Sequence, residues 1–300
     1  MAESVTPSRI VEVGPRDGLQ AESKVLPVET RLELIGRLVD AGIDRIEVAS
    51  FVNPKRVPQM ADAERICAAL PRGAASYIGL VMNRRGLERA LTTTLDEINF
   101  TLAAADGYNQ RNQGASVSES ANEIELMVPE AAGSGRKTSV TISVAFGDPY
   151  DGPVDVERVL ELVKRFSAVG VDEIAFGDTI GVATPLDVER LLEPVLAFDD
   201  APQTRCHFHN TRNTAYANAV AAMRIGVGAL DSSVGGYGGS PFAKGAGGNV
   251  ATEDLVYLQR GLGVDPGLDV ALLIETAQWL SDELGSPLRS MLPIAGDYPG

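Results

Sequence analysis

His207 and His209 are the only histidines in the 300-residue chain, and they stand two apart in Thr204-Arg205-Cys206-His207-Phe208-His209. On a β-strand, period-two alternation sends both imidazoles to one face. Two imidazoles converging on one point suit a divalent metal. The alternative is one ring capping a loop while the other packs. Asp17, in Gly14-Pro15-Arg16-Asp17-Gly18 after a short apolar run, is by itself only a turn signal. If the first strand lies beside the histidine strand, its carboxylate becomes an oxygen ligand for the same ion. Asn249, in Gly247-Gly248-Asn249, offers a neutral amide oxygen. Such an N2O2 set with open positions fits Mg²⁺, Mn²⁺ or Zn²⁺, and composition does not choose among them.

Other polar residues end apolar runs. Arg16 brings a fixed cation beside Asp17. Glu47 ends Arg45-Ile46-Glu47-Val48-Ala49, and its neighbours leave its direction open. Facing inward it would hold Arg16; facing outward it is a surface acid. Asp178, in Phe176-Gly177-Asp178-Thr179, is either a helix N-cap or a general base. The glycine-rich stretch Gly235 to Gly248, with Ser240 and Lys244 inside it, reads as a lid or as a solvent linker.

Positioning these residues requires regular elements. Runs of strand character recur at Ile10–Val13, Arg45–Ala49, Tyr77–Val81, Glu97–Thr101, Ser139–Val144, Glu173–Phe176, Thr204–His209 and Ala229–Val234. Helix-length segments separate them; in the first, Leu32, Ile35, Leu38 and Val39 fall at helical spacing. Eight such units predict an α/β fold, a (β/α)8 TIM barrel, better than a doubly wound sheet. The Gly14-Pro-Arg-Asp-Gly18 turn is not a dinucleotide fingerprint. The whole chain reads as one domain, with the barrel at about 8–262 and a C-terminal helical appendage at about 263–290. The Gly/Pro-rich end, Pro293–Gly300, is expected to be loose, and Trp279 is assigned to the core. In this fold the active site sits at the C-terminal ends of the strands, where the residues above fall.

Composition bounds the partners. With 44% hydrophobic and 22% charged residues, this is an ordinary globular chain. A net charge of −15 argues against nucleic-acid and anionic-membrane partners. Two cysteines make no disulfide framework, and the start shows no basic segment followed by an apolar run. A cytoplasmic protein is expected.

Four segments carry a family resemblance: Val11-Glu-Val-Gly-Pro-Arg-Asp-Gly-Leu-Gln20, Ser50-Phe-Val-Asn-Pro-Lys-Arg-Val-Pro-Gln-Met60, Gly177-Asp-Thr-Ile-Gly181 and Lys244-Gly-Ala-Gly-Gly-Asn-Val-Ala-Thr-Glu-Asp254. Together they resemble the 3-hydroxy-3-methylglutaryl-CoA lyases of the DRE-TIM metallolyase superfamily. The resemblance runs from about residue 9 to about 285. It implies retro-Claisen cleavage of a 3-hydroxy-acyl-CoA, with Mg²⁺ or Mn²⁺ on Asp17, His207, His209 and Asn249. The Asp, Arg and Glu of the superfamily name map to Asp17, Arg16 and Glu47. Asp178 becomes a candidate base, and Lys55, Arg56, Arg84, Arg85 and Arg111 weak candidates for the coenzyme phosphates. A homodimer is also implied. Two departures stand out. The family's loop cysteine, in Gly-Gly-Cys-Pro, is Ser240 here, and His209-Asn210-Thr211 stands where the lyases usually have His-Asp-Thr. A hydroxyl is a far weaker acid than a thiol of pKa about 8.5, which leaves Ser240 to relay a proton or hold a water. Two alternatives are a superfamily aldolase or condensing acyltransferase that uses a 2-oxo acid, and a catalytically weakened homologue.

Overall fold

The computed structural model describes residues 5–239 and 247–298. Eight parallel strands close into a barrel: β1 Arg9–Glu12, β2 Arg45–Ser50, β3 Ser76–Val81, β4 Glu97–Ala103, β5 Lys137–Ser143, β6 Glu173–Asp178, β7 Gln203–Phe208 and β8 Ala229–Ser232. β1 pairs with β8 along Arg9↔Ala229 to Glu12↔Ser232, which makes the first strand a neighbour of the histidine end of the sheet. The fold expected from the alternation is the fold found. Each strand shifts by one or two residues at one end or both, and three shifts bear on the site: β1 stops at Glu12, β8 stops at Ser232, and His209 lies just beyond β7 in an isolated bridge with Asn249.

The outer helices are α1 Val28–Asp40, α2 Ala63–Ala69, α3 Arg84–Leu91, α4 Asp106–Gln113, α5 Val117–Gly133, α6 Val156–Ala168, α7 Pro185–Leu196, α8 Ala215–Ile225 and α9 Thr252–Gly261. The C-terminal helices are α10 Val270–Leu284 and α11 Leu292–Ala295. α1 shows how each helix is seated: it buries Leu34, Ile35 and Leu38 and packs Leu32 and Val39 against the same core. Start signals are local, as at α5, where Ser116 and Glu119 form a reciprocal capping box.

The strands divide their side chains between two environments. Ile98, Phe100 and Leu102 of β4, Ile174 and Phe176 of β6, and Cys206 and Phe208 of β7 belong to the large core shared with the helices. The alternate positions point into the barrel. There a small apolar cluster of Val11, Val13, Ile78 and Ala229 fills part of the space, and polar side chains fill much of the rest.

A short helix, α11, follows the appendage, with Ile294 within it and Tyr298 beyond it exposed. Leu292 of α11 is buried, and Arg260 pairs with Asp297 at 2.9 Å. Trp279 packs against the core and carries the Arg37 guanidinium 4.6 Å above its ring. Among the described residues, no helix is long and apolar enough to cross a membrane.

Candidate active site and metal centre

Arg16 and Asp17 stand side by side on one wide helical turn, Gly14–Gly18, closed by N–H bonds from Asp17 and Gly18 to the Val13 carbonyl. A side chain at either end of this turn would force a neighbouring side chain to move. A Cβ at Gly14 would come within 2.5 Å of Glu12 Oε1, and one at Gly18 within 2.7 Å of Ser233 Oγ. The turn therefore presses against the β8 exit and delivers both charged side chains to the barrel mouth.

There Asp17 meets the histidines. His207 Nε2 lies 3.0 Å from His209 Nε2 and 3.8 Å from Asp17 Oδ2. Ligand atoms of all three fall within 4.8 Å of one another, and all three residues are buried. Asn249 joins them, its amide donating to Asp17 Oδ2 at 2.8 Å and to the Tyr237 carbonyl at 3.0 Å.

These residues fit a divalent ion. Two nitrogens 3.0 Å apart have the spacing of adjacent ligands around an octahedral ion bonded at about 2.1 Å. Asn249 Oδ1 is buried without a hydrogen-bond partner among the described residues, as an amide oxygen that ligates an ion would be. Burial opposes ionisation of Asp17, but Arg16 and the two histidines hold its carboxyl down at about 2. Burial and the neighbouring His207 push His209 down to about 3, so its ring is neutral and carries a lone pair. His207 moves the other way: burial pulls its pKa down, but Asp231 and Asp17 more than offset this.

Glu47 faces inward. Its Oε2 accepts from Arg16 Nε at 2.5 Å, while Asn99 donates to its Oε1 at 2.9 Å. Thr141 in turn donates to Asn99 Oδ1 at 3.0 Å. A bulge between Glu47 and Ala49 interrupts the β2–β3 register at this point. Arg16 also reaches Asp17 Oδ1 at 2.6 Å, so the cation sits between two carboxylates. Their combined pull raises its pKa against the opposing effect of burial.

Asp178 is buried at the end of β6. Its two oxygens accept the backbone N–H groups of Val182 and Ala183, at 2.9 and 3.0 Å, which braces the loop leading to α7. Burial raises its pKa. Ser240 and Lys244 lie outside the described residues. The described flank Gly235–Gly238 is buried, not a solvent linker, and it is tethered. Gly235 N–H donates to Glu253, and the Gly238 carbonyl accepts from Arg289 Nη1 at 2.5 Å. The C-terminal segment thus supports the wall of the site, which its sequence did not suggest.

A cavity of about 1260 Å³ opens over this group, and Arg16, Asp17, His207, His209 and Asp231 contribute to its lining. Lys55, Arg56, Arg84 and Arg85 line its outer part. Arg84 pairs with Glu130. Arg111 is elsewhere, its guanidinium 3.7 Å above the Tyr150 ring and bonded to the Gly107 carbonyl.

Sequence reasoning passed over Asp231. Its Oδ2 lies 3.0 Å from His207 Nδ1, which directs Nε2 toward Asp17. A carboxylate behind an imidazole is a common support for a metal ligand. The available signal was its place on β8, two residues beyond Ala229 and therefore on the same inward face.

A closed parallel barrel with a His/Asp group that could hold a metal ion at the C-terminal mouth, beside a buried Arg–Glu pair, defines a barrel enzyme with its site at the strand ends. The comparisons agree. The family described as HMGL-like matches residues 8–280. An (R)-citramalyl-CoA lyase of Chloroflexus aurantiacus is 44% identical over 99% of this chain and 96% of its own length. A hydroxymethylglutaryl-CoA lyase of Bacillus subtilis is 38% identical over 94% of both chains. The solved structure of an HMG-CoA lyase from Acinetobacter baumannii, in complex with coenzyme A and 3-methylmalate, superimposes with a TM-score of 0.93 at 33% identity, covering 99% and 98% of the two chains. The chain belongs to the HMGL-like family, and it is a carbon–carbon lyase of that type.

Proposed function

We propose that this protein cleaves 3-hydroxy-3-methylglutaryl-CoA, or a close 3-hydroxy-acyl-CoA, to acetyl-CoA and an oxo acid, with Mg²⁺ or Mn²⁺ held by Asp17, His207, His209 and Asn249. The observation that carries this reading is the convergence of Asp17 and both histidines next to Arg16, which Glu47 holds in place. When bound, the ion supplies Lewis acidity that lowers the pKa of the substrate hydroxyl. The C2–C3 bond then breaks as the hydroxyl proton passes to a base, for which Asp178 at the end of β6 is the candidate, and the electron pair of the broken bond passes to the acetyl-CoA fragment. Arg16 lines the cavity, and the guanidinium N–H groups not bound to Glu47 or Asp17 are free to receive the charge growing on the thioester oxygen. A proton must then reach the acetyl carbon. Ser240 is assigned to that relay, as a hydroxyl or through a held water.

Asp178 was open between cap and base. Its two loop N–H bonds support the bracing role, with a protonic role confined to its remaining lone pairs. For the coenzyme phosphates, position on the cavity wall supports Lys55 and Arg84, with Arg85 beside them, more than Arg111. Free, buried Cys67 and Cys206 suit a reducing cytoplasm. Association as a homodimer belongs to the same proposal and is read by analytical ultracentrifugation.

A second substrate is favoured by one observation: the citramalyl-CoA lyase matches at higher identity than the hydroxymethylglutaryl-CoA lyase of Bacillus. The test incubates purified protein with each thioester and Mn²⁺, with and without EDTA, and follows acetyl-CoA by mass spectrometry. Chelator-sensitive acetyl-CoA from either one supports the lyase reading, and the faster substrate names it. Turnover only when acetyl-CoA and a 2-oxo acid are supplied would replace it with the condensing alternative. No turnover with either would leave the weakened homologue.

A further inference from the structure

Below the ion site, the barrel interior holds a continuous line of charged side chains. Arg45, at the N-terminal end of β2, donates to Glu97 on β4 and to both oxygens of Glu173 on β6, each at 2.8 Å. Glu173 Oε1 lies 2.9 Å from Arg205 Nε on β7. Arg205 Nη1 donates to Asp231 Oδ1 at 3.2 Å, and the other oxygen of Asp231 faces His207 Nδ1. Two guanidinium groups and three carboxylates thus lead from the floor of the barrel to the back of a metal-site imidazole.

Arg205 is the unusual member. It is fully buried, yet its Nε lacks an aligned hydrogen bond and its Nη2 has no partner among the described residues. Each unmet donor on a buried cation is costly, so hydrogen bonding by itself does not account for Arg205 at this place. The single well-formed hydrogen bond of Arg205 goes to Asp231. With Oδ1 pinned by Arg205, the Asp231 carboxylate cannot rotate, and Oδ2 stays aimed at His207 Nδ1. Without it, Asp231 keeps only the imidazole and is free to turn about its Cβ–Cγ bond.

We propose that Arg205 is a positioning residue of the metal centre: it locks Asp231, and through Asp231 the orientation of His207, so that Nε2 is presented to the ion. The inference rests on reading Asp17, His207 and His209 as metal ligands, and adds the residue that orients them from inside the barrel. Arg45, one carboxylate further from the ion than Arg205, is the control, since it is buried and paired in the same line but makes no hydrogen bond to Asp231.

The test measures Mn²⁺ dissociation constants of metal-free protein by titration with electron paramagnetic resonance of free Mn²⁺, together with melting curves. Partners behind metal ligands typically contribute 10- to 100-fold in affinity; for a residue one step further back, Arg205→Met is expected to weaken Mn²⁺ binding about tenfold. Arg45→Met is expected to lower the melting temperature but leave the constant within about twofold. If Arg205→Met does not fold, Arg205→Gln, with a neutral side chain, carries the same expectation. Wild-type affinity in a folded Arg205 variant would overturn the inference, as would equal weakening in the Arg45 variant. Failure of the unaltered protein to bind Mn²⁺ at all would overturn the metal reading itself, and this inference with it.

Discussion

Glu47→Gln is the perturbation that best separates the position of Arg16 from its presence. The substitution keeps the shape but offers one acceptor oxygen where Arg16 Nε and Asn99 Nδ2 both donate, at 2.5 and 2.9 Å. One of those donors must lose its partner. A hydrogen bond to a charged group contributes about 1.5–3 kcal/mol, and a donor aimed at developing negative charge about 2.7–4 kcal/mol. If the guanidinium drifts toward its remaining anchor, Asp17, most of the second quantity is lost. At about 1.4 kcal/mol per tenfold, kcat for acetyl-CoA release is expected to fall about 100-fold. KM is expected to stay within about threefold, because Arg16 acts on charge that appears only in the transition state. Asn99→Ala, which frees the other oxygen of Glu47, is expected to lower kcat about tenfold in the same direction. The assay is steady-state acetyl-CoA formation at saturating Mn²⁺, with circular dichroism to show that each variant is folded. A folded Glu47→Gln enzyme with unchanged kcat would refute the account of Arg16, as would a loss carried wholly by KM.

Three further outcomes follow from the same geometry. Chelation with EDTA is expected to abolish acetyl-CoA release and lower the melting temperature, and Asp17→Asn to weaken Mn²⁺ binding at least tenfold by calorimetric titration. Lys55→Ala and Arg85→Ala should raise KM for the thioester severalfold with kcat retained, whereas Arg111→Ala, stacked away from the cavity on Tyr150, should leave both unchanged. Glu12 gives a pH signature: burial raises its carboxyl from 4.5 to about 7 in the folded protein, so the native state holds this proton more tightly than the unfolded chain. Its contribution is full below pH 4.5 and is lost as pH rises through 7, a change of about 3 kcal/mol. A glutamine there can accept the N–H groups of Gly14 and Val234 and donate to Thr252 Oγ1. Glu12→Gln should therefore melt higher than the unaltered protein at pH 8 and show no such gain at pH 4; equal melting at both would remove this reading of Glu12.

The residues legible from sequence were those whose types are rare or whose setting is a turn. His207 and His209 stood out because no other imidazole competes, and Arg16 and Asp17 because their glycine-flanked turn ends a strand. Glu47 was ambiguous because its neighbours two away, Arg45 and Ala49, are one charged and one small, and the bulge between Glu47 and Ala49 breaks the alternation on that side. Asp231 and Arg205 were missed because a parallel barrel strand, covered on both faces, is expected to be apolar throughout. The signal was present as a departure from that rule. Arg45 and Glu47, Glu97 and Asn99, Ser139 and Thr141, and Arg205 and His207 each place polar groups two apart on a strand whose other face is apolar. In a closed barrel that alternation means a polar interior. The role of the C-terminal segment could not be read at all, since the bond from Arg289 to Gly238 joins residues 51 apart through a turn of no distinctive pattern.

That polar interior divides the labour of the fold. Adhesion comes from the outward faces of the strands, where Phe100, Phe176 and Phe208 are packed against the helices. The inward faces carry ions whose desolvation is costly and which well-packed apolar side chains could replace at a gain in stability. What the ions provide instead is rigid placement. Glu47, Asn99, His207 and Asp231 sit on strands and fix one another across the barrel, while Asp17 and Asn249 sit on short turns and are bonded to each other. Only Ser240 belongs to a long glycine-rich connection. On the proposed reaction, bond cleavage is therefore assigned to groups held by the barrel and the return of the proton to a group held by the loop. The two should separate under mutation: Ser240→Ala is expected to slow acetyl-CoA release while leaving the Mn²⁺ dissociation constant unchanged, and a shift in that constant would show that the loop also builds the ion site.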